Sequence, residues 1–378
     1  MSSSENKYEQ LFWKLIKESG KNLKKVNKVR KKYKSKIEIK KIDSIFSSYY
    51  SKLFSKIESI FGKNVDEDDT GMNNFIHYLL SKGENNVKNI LDIKSNKKIF
   101  TDVGKLITNI TIKRTLFDKQ SKYQHVQMFE SKEFGNVLAI DNDINVTQLD
   151  EKNYHEMIVH VPMIYKLDAK KVLIIGGGDG GTARELLRYK NLDVTMVEID
   201  EVVIEASKIF LPQTSVSFSN KRLNLIIGDG YKFIDEYNGD KFDVIIVDST
   251  DFNQANKLFT NKFYKNIKKN LKPDGIFVFN NDSVFNDQLD LITKPVLQMK
   301  KLFINVFPYQ LFIPTYNGGH YTMMFCSNTI HPLKTKFDNK RWCNLGLETE
   351  YYNIGVHLGS FFLPNNITKV LDNKLSSC

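Results

Sequence analysis

Residues 171–188 read KVLIIGGGDGGTARELLR. An apolar run enters a glycine-rich turn and leaves it as a helix beginning near Thr182. Such a strand–loop–helix junction offers backbone N–H groups and a helix N-terminus to a ligand, and the usual guest is a phosphate. Gly176, Gly178 and Gly181 satisfy G-x-G-x-x-G, with Gly177 and Gly180 completing the turn. That pattern is shared by nucleotide sites of many chemistries. Asp179 is the unusual member. A carboxylate a few ångströms from a diphosphate costs several kcal/mol at intermediate effective dielectric, whereas the same carboxylate holds an amine. Asp179 also suits a cap for the following helix, and the two roles are compatible.

Outward from this loop the chain alternates. The runs DVTMVEID, LNLIIGDG, FDVIIVDST and DGIFVFNN read as buried strands. Between them, EVVIEASKIFL, YKFIDEY and NKFYKNIKKNL read as helices. Continuous apolar strands alternating with helices predict an α/β fold with a doubly wound parallel sheet, which binds ligands at the carboxyl ends of its strands. Before residue 165 the pattern differs. ITNITIKRTLFD, YQHVQMFES and NVLAIDNDINVTQ are β-branched and aromatic with turn residues between them, and they predict a small antiparallel sheet. NYHEMIVHVPMIYK predicts a connecting helix. Residues 1–104 read as a helical, basic extension, 105–165 as the small β domain and 166–378 as the Rossmann-like catalytic domain with a C-terminal segment.

Composition narrows the class. The net charge is +11, and residues 21–41 alone hold eleven Lys/Arg and one Glu. The rest of the chain is therefore close to neutral, and a polyanion-binding role is confined to that segment. A solvated helix face or an arm is the plainer reading of residues 21–41, ahead of contact with nucleic acid. Ile42, Phe46, Tyr50, Leu53, Phe54, Ile57 and Phe61 form one apolar stripe at helical spacing. No run approaches the roughly 20 apolar residues of a membrane span. MSSSENKYEQ, at the start, lacks the basic-then-apolar pattern of a signal peptide. Cys326, Cys343 and Cys378 show no metal-ligand spacing, so a reducing, cytoplasmic setting and no metal are expected.

Four of the predicted parallel strands carry an acid at or just beyond their ends. Glu198 stands about 20 residues beyond the glycine loop, where an acid binds ribose hydroxyls. Asp229 lies in IIGDG, suited either to a nucleobase amine or to a turn before a glycine. Asp248 and Asp251 follow FDVIIV, and with Asp179 they make five acids at one edge. The absence of clustered histidines favours a polycationic substrate over an anion or a metal. A nucleoside with a cationic tail, of the S-adenosylmethionine type, suits Asp179, Glu198 and Asp229, and Asp248 with Asp251 suits a general base and a cation anchor. Turn-forming or N-capping roles fit each acid singly but explain the five together poorly.

With these motifs assembled, the chain resembles the spermidine and spermine synthases, the aminopropyltransferases. The resemblance runs from about residue 105 to 375. It is carried by YQHVQMFESKEFGNVLAIDN, YHEMIVHVP, KVLIIGGGDGGTARELLR, MVEID, GDGYKFI, FDVIIVDSTD, LFTNKFY, LKPDGIFV, IPTYNGG and YYNIGVHLGSFFLP. It implies a sheet of the S-adenosylmethionine-methyltransferase type. It also implies transfer of an aminopropyl group from decarboxylated S-adenosylmethionine, a co-substrate rather than a cofactor, to putrescine. The products would be spermidine and 5′-methylthioadenosine. By resemblance, Asp179 holds the aminopropyl amine, Glu198 the ribose and Asp229 the adenine amine, with Gln124 near the nucleoside. Asp248 would accept a proton from, or orient, the attacking amine, and Tyr154 would help position it. Asp251 and Tyr316 would hold the acceptor, and His155 would hydrogen-bond within the pocket. A homodimer is implied by the same analogy.

Three positions depart from the family pattern. Asn145 stands where Gln is usual, and spermine-forming members can carry Asn there. The usual Asp-Pro-x-Gly-Pro loop is here Asp251-Phe252-Asn253-Gln254-Ala255. Asn280 replaces a common Gln. The competing expectations are a spermine or thermospermine synthase acting on spermidine, a methyltransferase on the same sheet, and a polyamine- or nucleoside-binding homologue without catalysis. An apolar residue precedes the glycines where methyltransferases commonly carry an acid, which disfavours the second.

Overall fold

The computed structural model describes residues 97–103, 106–249, 256–284, 290–316 and 318–376. The chain divides into two units at Asn96/Lys97. The basic run 21–41 and the apolar stripe 42–61 therefore lie outside the described residues, as do Asp251 and the altered loop after it.

The first sheet is an antiparallel meander, β1 (Lys97–Val103), β2 (Leu106–Gln120), β3 (His125–Ser131), β4 (Gly135–Ile140) and β5 (Asp143–Thr147), hydrogen-bonded in that order. Its first strand precedes the domain start expected at 105, because KKIFTDV pairs along the first half of the long β2. Asp141 and Asn142 both have positive φ, as a two-residue hairpin between β4 and β5 requires. Strand alternation sends Ile112, Phe129 and Val137 to one face, and the register shift between β4 and β5 turns Ile144 to that face although Val146, two residues on, faces the other way. Val126, Met128, Leu138 and Val146 go to the other, against Val203, Ala206 and Leu211. Helix α1 (Glu151–Met163) then leads into the second sheet.

That sheet has seven strands in the order β11-β12-β10-β9-β6-β7-β8. They are β6 (Lys171–Gly176), β7 (Asp193–Glu198), β8 (Leu223–Ile227), β9 (Phe242–Asp248), β10 (Leu271–Ser283), β11 (Asn305–Phe312) and β12 (His320–Ser327). From β10 to β8 the pairing is parallel, and β12 and β11 extend it antiparallel. The helices between them include α2 (Gly181–Leu187), α3 (Glu201–Phe210), α4 (Gly230–Glu236), α5 (Asn261–Asn270) and α6 (Asp290–Lys300). They are followed by α7 (Ile354–Ser360) and α8 (Asn365–Ser376). Val172, Ile174, Val194 and Met196 pack toward α1 and α2, whereas Leu173, Ile175, Val197 and Ile245 pack toward α5, α6 and α8. Both faces are covered, which explains why these strands are apolar throughout. No described helix is long and apolar enough to cross a membrane.

The strand order reverses between β6 and β9, the switch point where open α/β sheets bind ligands. The backbones almost touch there: Gly176 is paired with Asp248, and the Gly177 N–H donates to the Asp248 carbonyl at 2.7 Å. Gly176 has φ +90, and a Cβ there would overlap that carbonyl oxygen. Glu156 of α1 anchors the C-terminal region from below, accepting the N–H groups of Glu350, Tyr351 and Tyr352 at 2.8–2.9 Å. Gly176→Ala is expected to cost about 2–4 kcal/mol, from a positive φ plus a backbone clash. Gly228→Ala, whose Cβ would meet its nearest neighbour at 3.9 Å, should change stability by less than about 0.5 kcal/mol. Thermal melts of the two variants make the comparison, and equal midpoints would refute it.

Candidate active site

Four adjacent parallel strands bring their acids to one edge: Asp248 ends β9, Asp179 lies in the loop after β6, Glu198 ends β7 and Asp229 follows β8. Asp229 caps α4, its Oδ1 accepting from the N–H groups of Tyr231 and Lys232. The turn reading of this residue is thus realised, and Oδ2 remains as an acceptor. Glu198 is buried, and its Oε1 accepts from the Asp200 N–H at 2.8 Å. A Cβ on Gly178 would crowd its carboxylate, so the loop lies close upon this acid. Burial raises the Glu198 carboxyl to about 7. Gln124 is brought to the same neighbourhood through Ser121. The Gln124 N–H donates to Ser121 Oγ at 3.0 Å, and that hydroxyl donates to Asp200 at 2.6 Å.

Asp248 sits at the crevice. Its Oδ1 accepts from the Tyr154 hydroxyl at 2.7 Å and its Oδ2 from the Thr182 hydroxyl at 2.6 Å. Burial, reinforced by the nearby Asp179 carboxylate, pushes its pKa above the ordinary aspartate range. Burial likewise lifts the Tyr154 phenol well above its ordinary value, with Asp248 adding to the effect. Tyr154 therefore serves as a donor that holds the carboxylate. Its ring adjoins those of Tyr316 and Tyr321, with centroids 6.2 and 6.5 Å away.

The Tyr316 hydroxyl donates to the Asn145 carbonyl at 2.7 Å, joining a residue expected to hold the acceptor to one that departs from the family pattern. The IPTY segment is pinned through Thr315, whose N–H and hydroxyl both donate to Asp150. Asn280 is buried next to this wall, its amide donating to the Ser249 carbonyl at 2.8 Å. Its Oδ1, like Ser249 Oγ, is buried without a hydrogen-bond partner.

Asp179 Oδ1 accepts from the Gly181 N–H at 2.8 Å and faces His155 Nε2 at 3.1 Å. The expected cap is not formed as such, because Gly180 is the N-cap of α2 and Asp179, one residue earlier, holds only the first helical N–H; its Oδ2 remains for a ligand. His155 Nδ1 lies 2.6 Å from Glu151 Oε2, one helical turn earlier on α1. A Cβ on Gly181 would strike the imidazole, so the ring lies flat against the loop. Burial alone would lower the His155 pKa, but the Asp179 and Glu151 carboxylates override it and raise it to about 10. Behind them Arg184 grips Glu151 with two hydrogen bonds of 2.7 and 2.9 Å. Burial opposes ionisation of Glu151, yet His155 and Arg184 hold its carboxyl at about 2. Arg184 continues to Glu185 at 2.8 Å, and Glu185 meets His160 and Arg188.

The site thus gathers Tyr154, His155, Asp179, Glu198, Asp229 and Asp248 at one edge. Gln124 and the Asn145–Tyr316 pair are tied to it through hydrogen bonds. Thr182, Glu151 and Arg184 were not anticipated. Glu151 precedes His155 by four residues on one helix face, and Thr182 opens the helix after the glycines. Both spacings are readable only once the site is known. His155, Asp179 and Asp248 each present a ligand atom within 4.8 Å of the others, and His155 is already bonded to Glu151 and Asp248 to Tyr154 and Thr182. The arrangement is an anionic pocket with one imidazolium, suited to a ligand carrying amines.

The family model described as the spermine/spermidine synthase domain matches residues 151–338, and the spermidine synthase tetramerisation domain matches 100–148. A polyamine aminopropyltransferase of Clostridium botulinum is 43% identical over 70% of this chain and 93% of its own length. One of Clostridioides difficile is 41% identical over 70% and 95%. The crystal structure of spermidine synthase in complex with the transition state analogue AdoDATO superposes with TM-score 0.71 at 35% identity. It covers 74% of this chain and 96% of its own. Spermidine synthase from Thermotoga maritima gives TM-score 0.70 at the same identity and coverage. The sheet order, the acids at its edge and these matches agree: the chain belongs to the spermine/spermidine synthase family.

Proposed function

We propose that this protein is a cytoplasmic aminopropyltransferase that converts putrescine and decarboxylated S-adenosylmethionine into spermidine and 5′-methylthioadenosine. The observation that carries the reading is the Asp179–Asp248 pair astride the switch point, one acid for each amine. The donor's ammonium is held by Asp179 Oδ2 beside His155, its ribose by Glu198 with Gln124 near the nucleoside, and its adenine amine by Asp229 Oδ2. The acceptor lies along Tyr154, Asn145 and Tyr316, with Asp251 as a further anchor. Its nitrogen forms a bond to the aminopropyl carbon as the carbon–sulfur bond breaks, and the proton passes to Asp248. A desolvated carboxylate is a stronger base than an ordinary one, and amines at neutral pH need one to expose their lone pair. Tyr154 and Thr182 fix its orientation.

Spermidine as the acceptor is the second reading. Asn145 favours it, as does the unpartnered Oδ1 of Asn280 beside the tyrosine wall. The N-terminal sheet, matching a tetramerisation domain, supports self-association, with a homodimer as its smallest form. No metal, membrane or nucleic acid enters the proposal, and contact through residues 21–41 is not part of it.

A mass-spectrometric assay with decarboxylated S-adenosylmethionine and putrescine, cadaverine or spermidine in separate reactions tests the proposal. 5′-Methylthioadenosine and spermidine should form with putrescine, and Asp248→Asn should lower the rate by about 10²-fold or more. Spermine from spermidine alone would replace the first reading with the second. Binding without any product would make the chain a non-catalytic homologue.

A pH profile gives a separate check. Below about 7 the Glu198 carboxyl is protonated and above it ionised, and the cationic donor is favoured by the ionised form. kcat/KM for the donor should therefore rise as pH increases through about 7. Glu198→Gln should show a lower kcat/KM and lose that limb. A wild-type profile that is flat through this range would contradict it.

A further inference from the structure

His155 occupies a cationic position before any substrate arrives. Its ring lies between Glu151 on α1 and Asp179 in the glycine loop, at 2.6 and 3.1 Å. It is clamped against the loop where Gly181 has no side chain. Three other groups complete its surroundings. Tyr154 presents its ring at 5.4 Å from the same helix, Asp248 approaches from β9, and Arg184 of α2 is tied to Glu151. The imidazole is almost wholly buried. Between two carboxylates, both ring nitrogens act as donors, and the resident charge is an imidazolium.

The donor proposed above brings an ammonium to Asp179 and a sulfonium a few bonds away. Two cations then stand side by side on one carboxylate, the imidazolium at Oδ1 and the ammonium at Oδ2. We propose that donor binding expels a proton from Nε2 of His155 to solvent. The imidazole left behind keeps Nδ1–H on Glu151 and turns its Nε2 lone pair toward the incoming ammonium. Nothing covalent changes: one N–H bond on the ring is lost, and the buffer takes the proton. The donor amine thus exchanges for the ring's proton in the pocket.

The magnitudes permit it. A unit charge about 5 Å from the ring lowers its pKa by roughly two at an effective dielectric of 20. Starting from about 10, the ring arrives near pH 8, and the sulfonium moves it further. Glu151, held ionised by Arg184, fixes the tautomer on Nδ1 and leaves Nε2 as the site of loss. Arg184 and Glu151 are positioning residues in this scheme.

The inference rests on Asp179 holding the donor amine. Isothermal titration calorimetry of the full-length protein at about pH 8 tests it, a pH at which the Glu198 carboxyl is already largely ionised. Heats are compared in buffers of high and low ionisation enthalpy. Decarboxylated S-adenosylmethionine should release roughly half to one proton per site. 5′-Methylthioadenosine, which lacks both cationic groups, should release close to none. His155→Gln should still bind the donor but with heats that no longer depend on the buffer. Buffer-independent heats in the wild type, or unchanged release in His155→Gln, would overturn the inference and leave the donor assignment standing. No binding of the donor to the wild type would overturn that assignment and this inference with it. Should His155→Gln not fold, histidine nitrogen NMR of the wild type decides. Both His155 nitrogens should be protonated at pH 8 without ligand, and Nε2 alone should lose its proton when the donor is added.

Discussion

Everything at the site depends on two backbones being allowed to touch. The Gly177 N–H reaches the carbonyl of Asp248 across the gap where β6 and β9 part, and only residues without a Cβ let the loop come so near. That contact sets the separation of Asp179 and Asp248. It also places the start of α2 so that Thr182 donates to the Asp248 carboxylate. A loop swollen by one methyl group would displace the acid, the helix and the hydroxyl together. The glycines here therefore serve proximity between strands, as much as the approach of a ligand.

The second constraint is electrostatic. Burying carboxylates is unfavourable unless charge and hydrogen bonds accompany them. The fold meets this in two ways. On the α1–α2 side, Glu151, Arg184, Glu185 and Arg188 alternate in sign and form a well-paired chain, with His160 hydrogen-bonded to Glu185. On the crevice side, Glu198 and Asp248 have few cationic partners, and their affinity for protons rises accordingly. The unpaired negative potential is concentrated where a cation is expected to dock, and the paired groups form a rigid backing.

Much of this was readable from residue order. Alternation of apolar strands with helices identifies the parallel part of the sheet. Acids at strand ends must gather at one edge once that sheet is drawn, so Asp179, Glu198, Asp229 and Asp248 could be named in advance. Antiparallel addition of β11 and β12 was not apparent, because periodicity reports burial and not the direction of a neighbour. Glu151 and Arg184 escaped for a related reason. Their partnership joins two helices 33 residues apart, and a Glu or Arg on a helix ordinarily reads as a solvated position. Asn280 could be flagged by its difference from the family, but its unsatisfied oxygen is a property of packing and has no trace in the order of residues.

Glu156 ties the two ends of this architecture together. It lies one residue beyond His155 on α1, and its carboxylate is satisfied by main-chain groups of Glu350, Tyr351 and Tyr352. On a translating ribosome those donors appear nearly two hundred residues after the acid itself. Until they emerge, the helix carrying Tyr154 and His155 has a charged group facing a core that cannot yet accept it. Burial of the Glu156 carboxylate thus waits on the segment 350–352, and a chain stalled before residue 350 lacks the groups that satisfy it.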